Sequence, residues 1–200
     1  MSNDRLVLPP PDVSGSNAKR SFVSRAGLKL EAALLSFPID VTGKTCADLG
    51  ANVGGFTDCL LQHGAAKVYS VDTAYGILAW TLRKDPRVIV KERMNALHVK
   101  LPEPVSIVSI DVGWTRQNKI LPVVAAILAD NADVLTLIKP HYESEEAKIQ
   151  KGVLTPEQSE QVLHHVLDEI EQTGWRIHGV VRTPIEGQKG NTEYIAWLRR

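Results

Sequence analysis

Four charged residues stand where an α/β chain would bring chemistry together: Lys29, Asp111, Lys139 and Glu193. Asp111 ends the apolar stretch 105–111 and Lys139 ends the stretch 133–139. Glu193 opens the final stretch 194–198, and Lys29 sits in a helical pattern ahead of the first strand. A single strand-end charge is usually solvated. Two ammonium groups and two carboxylates converging on one cleft suit a different task, the activation of a hydroxyl for attack on a methyl donor. Such an oxygen is a poor nucleophile until its proton leaves, and a lysine takes that proton only when its pKa falls. A second lysine nearby lowers the pKa and the carboxylates raise it, so the residues alone leave the sign of the net shift open.

A second group lies around the run Asp48-Leu49-Gly50-Ala51-Asn52-Val53-Gly54-Gly55-Phe56. Glycines after a strand let the backbone approach a ligand closely, and the helix that follows offers free N–H groups. The spacing departs from the G-x-G-x-x-G pattern that seats a pyrophosphate, and the Asp48 carboxylate would repel one. It would accept from an ammonium group instead. Asp72, which ends the next strand, is spaced to accept from ribose hydroxyls. These features point to S-adenosyl-L-methionine, which carries an amino-acid tail and no phosphate. Candidate cofactor contacts are Asp48, Gly50, Asn52, Gly54, Gly55, Phe56, Asp72 and Asp111, with the Asn95 amide placed for an adenine edge or for solvent.

The elements that must position these groups alternate. Helical spacing marks 24–35, 56–63, 77–84, 117–129 and 156–173. Strands are expected at 45–50, 67–72, 88–91, 105–111, 133–139, 175–182 and 194–198. Strands separated by helices imply a parallel sheet covered on both faces. The last two strands have no helix between them and should pair antiparallel. The expected fold is α/β, a Rossmann-like sheet of seven mostly parallel strands with an antiparallel last strand, which resembles the layout of class I methyltransferases. Residues 1–20, with Pro9-Pro10-Pro11 and Ser14-Gly15-Ser16-Asn17, read as a flexible leader, and 21–200 as one catalytic domain.

Composition narrows the class. The 200 residues are 44% hydrophobic and 23% charged, with zero formal net charge. No apolar run approaches the ~18 residues of a membrane span, and no signal-peptide core opens the chain, so a cytoplasmic protein without a membrane partner is expected. Cys46 and Cys59 read as buried reduced thiols. No Cys/His cluster has zinc-ligand spacing, so no metal is expected. Lys19, Arg20, Arg25 and Lys29 concentrate positive charge near the start, either as a solvated arm or as a phosphate contact.

The ordered motifs resemble the FtsJ-like ribose 2′-O-methyltransferases, and among them the methyltransferase domain of the TlyA haemolysin-like rRNA methyltransferases. The resemblance covers roughly residues 21–198. It runs through Ser24-Arg25-Ala26-Gly27-Leu28-Lys29-Leu30, the Asp48 loop to Asp58, Val71-Asp72-Thr73-Ala74-Tyr75-Gly76-Ile77-Leu78-Ala79-Trp80, Leu137-Ile138-Lys139-Pro140 and Gly190-Asn191-Thr192-Glu193-Tyr194. It implies a Lys-Asp-Lys-Glu tetrad at Lys29, Asp111, Lys139 and Glu193, with Lys139 as the catalytic lysine. It also implies a structured RNA, ribosomal in this family, as substrate. TlyA-type proteins carry an S4 RNA-binding domain ahead of the catalytic one, whereas about twenty residues precede it here. RNA docking is therefore expected from the catalytic domain, from the Lys19/Arg20/Arg25 arm, or from a separate RNA-binding partner. After Asp111 the run Val112-Gly113-Trp114-Thr115 departs from the more apolar TlyA pattern. Trp114 is either a base-stacking residue or a core or lid tryptophan. The alternatives are methyl transfer to a non-RNA hydroxyl, and a non-catalytic or haemolysin-like binding protein.

Overall fold

The computed structural model describes residues 6–13, 21–144 and 153–200. Lys19, Arg20 and the Ser14–Asn17 stretch read as leader lie outside the described residues. One sheet organises the chain. Its strands are β1 (Val7–Leu8), β2 (Thr45–Leu49), β3 (Lys67–Val71), β4 (Val88–Lys91), β5 (Val105–Ile110), β6 (Leu128–Ile138), β7 (Arg176–Arg182) and β8 (Tyr194–Arg199). They lie in the order β1-β7-β8-β6-β5-β2-β3-β4. Strands β6, β5, β2, β3 and β4 are mutually parallel, and β8 runs antiparallel to both β6 and β7. This is the expected Rossmann-like sheet with one further strand. Val7 and Leu8, within the span read as leader, add β1 parallel to β7 at the edge.

The helices are α1 (Ala26–Ser36), α2 (Gly55–Gln62), α3 (Trp80–Arg83), α4 (Gln117–Val124), α5 (Pro140–Glu143) and α6 (Pro156–Gln172). Strand side chains alternate between two cores, as a two-residue period demands. Val134 and Ile138 of β6 face the core built by α4 and α6, with Ile120, Leu121, Leu163, Leu167 and Ile170. Leu135 and Leu137 face the opposite core, built by α1, α2 and α3 with Leu30, Leu34, Phe56, Leu60 and Leu82. Central strands buried on both faces read as near-continuous apolar runs, as in 105–110. Each fully buried Leu or Ile stabilises the fold by about 1.5–3 kcal/mol relative to exposure.

Three of the expected elements have other bounds than the sequence reading gave them. The helix expected over 77–84 is reduced to Trp80–Arg83. Residue 79 is held with ψ 137° while its N–H donates to the Val53 carbonyl, so the preceding segment is pinned to the glycine loop. The helix expected over 117–129 ends at Val124, two residues after Pro122. That proline leaves one rung of the ladder unmade, the ladder resumes with the Ala125 N–H donating to the Leu121 carbonyl, and a 3₁₀ turn, Ala125–Ile127, follows. Strand β6 then begins at Leu128 rather than 133, with a register shift against β5.

Between β2 and β5 the order of connection reverses, because β2 leads outward to β3 and β4 while β5 leads back to β6. Such a switch point opens a crevice at the carboxyl ends of the strands.

Candidate active site

The crevice is a cavity of about 700 Å³. Its wall carries Lys29, Asp111, Lys139 and Glu193, together with Gly50, Asn52, Asp72 and Asn95. Topology explains the meeting. β5 and β6 are parallel neighbours, so Asp111 and Lys139 leave the sheet at the same edge. β8 runs the opposite way, so the residue before it, Glu193, sits at that edge too. Lys29 arrives from α1, whose start packs beside the glycine loop.

The four residues form two ion pairs. Lys139 Nζ donates to Asp111 Oδ1, and Lys29 Nζ donates to Glu193 Oε2. Both pairs are largely withdrawn from solvent, with side-chain exposures of 14% and 19% for the first and 11% and 3% for the second. Burial pulls the Lys139 pKa down, but the charges of Asp111 and Glu193 and the hydrogen bond to Asp111 outweigh it, and the net direction is up. The sign that the residues alone leave open is decided by this pairing: in the resting cavity Lys139 is an ammonium group.

The glycine loop behaves differently along its length. Gly50 has φ +88°, and a Cβ there would stand 2.3 Å from the Asp111 carbonyl oxygen, so only glycine lets β2 turn this close to the end of β5. Asn52 also has positive φ, and its N–H donates to Asp72 Oδ2 at 2.7 Å. Asp72 Oδ1 accepts from Ala74 N. The β3-end carboxylate is thereby fixed at the cavity wall. Asn95 Oδ1 accepts from Leu97 N and caps the 3₁₀ turn Ala96–His98, so any contact with a ligand falls to Nδ2.

Asp48, Gly54, Gly55 and Phe56 are not on this wall. Asp48 is 0% exposed. Its Oδ2 accepts from the Thr57 N–H and hydroxyl and its Oδ1 from the Ser109 hydroxyl. The carboxylate given on sequence grounds to a ligand ammonium is therefore spent inside the protein, where it ties β2 and β5 to the first turn of α2. Burial pushes its pKa up to about 7. Phe56 is a core residue on the α1–α2 side. Gly54 takes a left-handed conformation, φ +105°, to start α2.

The wall also holds residues that the sequence reading passed over, among them Ser24, Thr73, Met94, His141 and Tyr142. His141 and Tyr142 follow Lys139-Pro140 directly, and α5 turns them inward. His141 Nδ1 is buried without a hydrogen-bond partner. Burial and the nearby Lys139, Lys29 and Lys189 push the imidazole down to about 4, so it is neutral near pH 7. Tyr142 stacks on Trp114, ring centroids 4.4 Å apart. Trp114 itself is 83% exposed with φ +58°, which places it outside the core.

Among the described residues no helix is long and apolar enough to cross a membrane. A family model for FtsJ-like methyltransferases matches residues 22–200. The 16S/23S rRNA (cytidine-2′-O)-methyltransferase TlyA of Mycobacterium tuberculosis is 38% identical over 190 residues, which cover 92% of this chain and 70% of that protein. Hemolysin A of Brachyspira hyodysenteriae is 39% identical, with 88% and 75% covered. A solved Streptococcus thermophilus structure, described as that of a hemolysin, superposes with a TM-score of 0.85 at 38% identity, covering 92% of this chain and 68% of that one. An S-adenosylmethionine dependent methyltransferase from Mesorhizobium loti shares the fold alone, with a TM-score of 0.60 at 15% identity and coverage of 86% and 98%. Matched by the family model over nearly its whole length and by relatives well above 30% identity, the chain belongs to the FtsJ-like methyltransferase family.

Proposed function

We propose that the protein is an S-adenosylmethionine-dependent ribose 2′-O-methyltransferase of RNA, with ribosomal RNA as the substrate class and Lys139 as the catalytic lysine. The observation that carries this reading is the convergence of the Lys139–Asp111 and Lys29–Glu193 pairs on the wall that also presents Gly50 and Asp72. The rRNA ribose methyltransferase activity named for the M. tuberculosis relative supports it.

The residues present fit the cofactor. Asp72 offers a carboxylate at the end of β3, and Gly50, where a Cβ would meet the Asp111 backbone, lets the loop turn tightly along the cavity wall. Asp72, Gly50, Asn52 and Asn95 would hold S-adenosylmethionine. When bound, it supplies a methyl group already activated on a sulfonium. The protein's part is to orient the acceptor and remove its proton. Lys139, neutral for that step, accepts the proton of the 2′-hydroxyl at Nζ. Asp111 orients Nζ and balances the ammonium that results. Lys29 and Glu193 flank the acceptor and fix the charge balance. Exposed Trp114, stacked on Tyr142 next to Lys139, presents an aromatic face for a base.

The test is incubation with radiolabelled S-adenosylmethionine and total RNA, with Lys139→Ala beside the unaltered protein. Label in RNA, protection of one linkage from alkaline cleavage, and a loss of about 10²-fold or more in the variant with cofactor binding retained are expected. Equal activity in Lys139→Ala would end the assignment of that lysine. Cofactor binding with no label in any RNA would favour a non-RNA hydroxyl acceptor.

A further inference from the structure

The buried stripe of α1 runs through Gly27, Leu30, Glu31 and Leu34, and one member is a carboxylic acid. Glu31 is 5% exposed and belongs to no part of the catalytic cavity. It faces α2, on which Cys59 and His63 lie four residues apart and so share a face. Cys59 Sγ is 3.6 Å from Glu31 Oε2, and His63 Nε2 contacts the same oxygen at 2.5 Å. One ligand atom from each residue falls within 4.8 Å of the other two. An ionised carboxylate in an apolar helix interface is unfavourable unless paired. The imidazole and the Cys59 thiol both meet that carboxylate oxygen, so three metal-type donors converge on one point between the helices.

We propose that Glu31, Cys59 and His63 form a site for one divalent transition-metal ion of the zinc type, with a water completing four-fold coordination on the His63 side. A thiolate, an imidazole and a carboxylate are the donors zinc takes, and a thiolate disfavours magnesium or calcium. Three protein ligands and one open position are a complete set for such an ion. Cys59 and Glu31 close the inner side, while the His63 side chain, 21% exposed, leaves an entry path. Bond lengths of about 2.0–2.3 Å require ligand atoms roughly 3.4 Å apart, so the Glu31–His63 contact opens by about 1 Å. His63 is the C-cap of α2, so its side chain can rotate while its N–H keeps the last rung of the ladder to the Cys59 carbonyl. On binding, the Cys59 S–H bond is replaced by a sulfur–metal bond and its proton leaves to solvent, while the proton that His63 Nε2 shares with Glu31 is given up, the imidazole binding as its Nδ1–H tautomer, so that Nε2 and the carboxylate both bond to the ion. The loaded site clamps α1 to α2, and α1 is the element that carries Lys29 into the cavity.

The sequence reading expected no metal because no Cys/His cluster has zinc-ligand spacing along the chain. The third donor comes from another helix, 28 residues before Cys59.

Chelator-treated protein titrated with cobalt(II) tests the proposal. One equivalent is expected to bring up a thiolate-to-cobalt charge-transfer band and the visible bands of a four-coordinate ion, which zinc(II) then abolishes by displacement. Cys59→Ser should lose the charge-transfer band and Cys46→Ser should keep it. His63→Gln, checked for folding by circular dichroism, should bind at least about 10-fold more weakly. Zinc should raise the melting temperature of the unaltered chain and not that of His63→Gln. The proposal is overturned if folded, unaltered protein develops no bands, or if the bands survive both Cys59→Ser and His63→Gln.

Discussion

At the scale of single residues, the proposed role of Lys139 sets how methyl transfer should depend on pH. Asp111 holds the lysine in its charged form, and on that proposal transfer needs the neutral amine, so the rate should climb with pH through and above neutrality. Removing the carboxylate charge leaves burial to dominate, and burial lowers a lysine pKa. Asp111→Asn should therefore move the rise to lower pH while reducing the maximum rate, as read from single-turnover profiles of the two proteins. An unmoved profile would show that the titrating group is not Lys139.

Asp48 makes a second residue-scale prediction, on stability. Its folded pKa is about 7 against 3.8 for the free group. The native state therefore holds a proton that the unfolded state has lost. That contribution is full below about pH 4 and disappears as pH rises through about 7. The melting temperature of the unaltered protein should fall across this window relative to Asp48→Asn, which has no proton to lose. Melting curves at a series of pH values check it. A constant gap between the two proteins would mean that Asp48 is ionised throughout.

At the scale of elements, α6 shows how much local chemistry settles. Thr155 accepts from Gln158 N, the Gln158 side chain accepts from Thr155 N, and Pro156 occupies the first turn. This capping box satisfies free helix-end donors and fixes where α6 begins, and α6 contributes Leu163, Leu167 and Ile170 to one core. Thr155→Ala should cost about 1 kcal/mol in denaturant unfolding without altering methyl transfer. The shorter elements follow non-local rules. α3 lost its first turn to the glycine loop, and α4 carries Pro122 inside it and passes into a 3₁₀ turn two residues later. Proline within a helix is visible in the sequence. A backbone N–H captured by a loop more than twenty residues earlier is not.

At the scale of the whole molecule, the edge strand β1 covers the outer side of β7. A sheet edge with unpaired N–H and C=O groups is a template for another strand. Deleting residues 1–13 should leave the order from β7 to β4 intact and the cavity active, yet promote concentration-dependent self-association seen by light scattering. Unchanged scattering would mean that β7 protects its own edge. The opposite edge is β4, four residues long, and its brevity limits such pairing.

Alternating strand and helix patterns, the antiparallel last pair and the glycine loop after β2 were legible because each is written in local period or spacing. So were Lys29, Asp111, Lys139 and Glu193: parallel strands share a carboxyl edge, and the reversed last strand begins there. The tertiary structure decided the rest. It buried Asp48 among Thr57 and Ser109 and took it off the cavity wall. It paired each lysine with one carboxylate and so set the sign of the Lys139 shift. It exposed Trp114 and turned His141 inward, and it brought Glu31 against Cys59 and His63. Each of these depends on which surfaces residues distant in the chain present to one another, and on how far water is excluded between them. Spacing along the chain carries neither quantity.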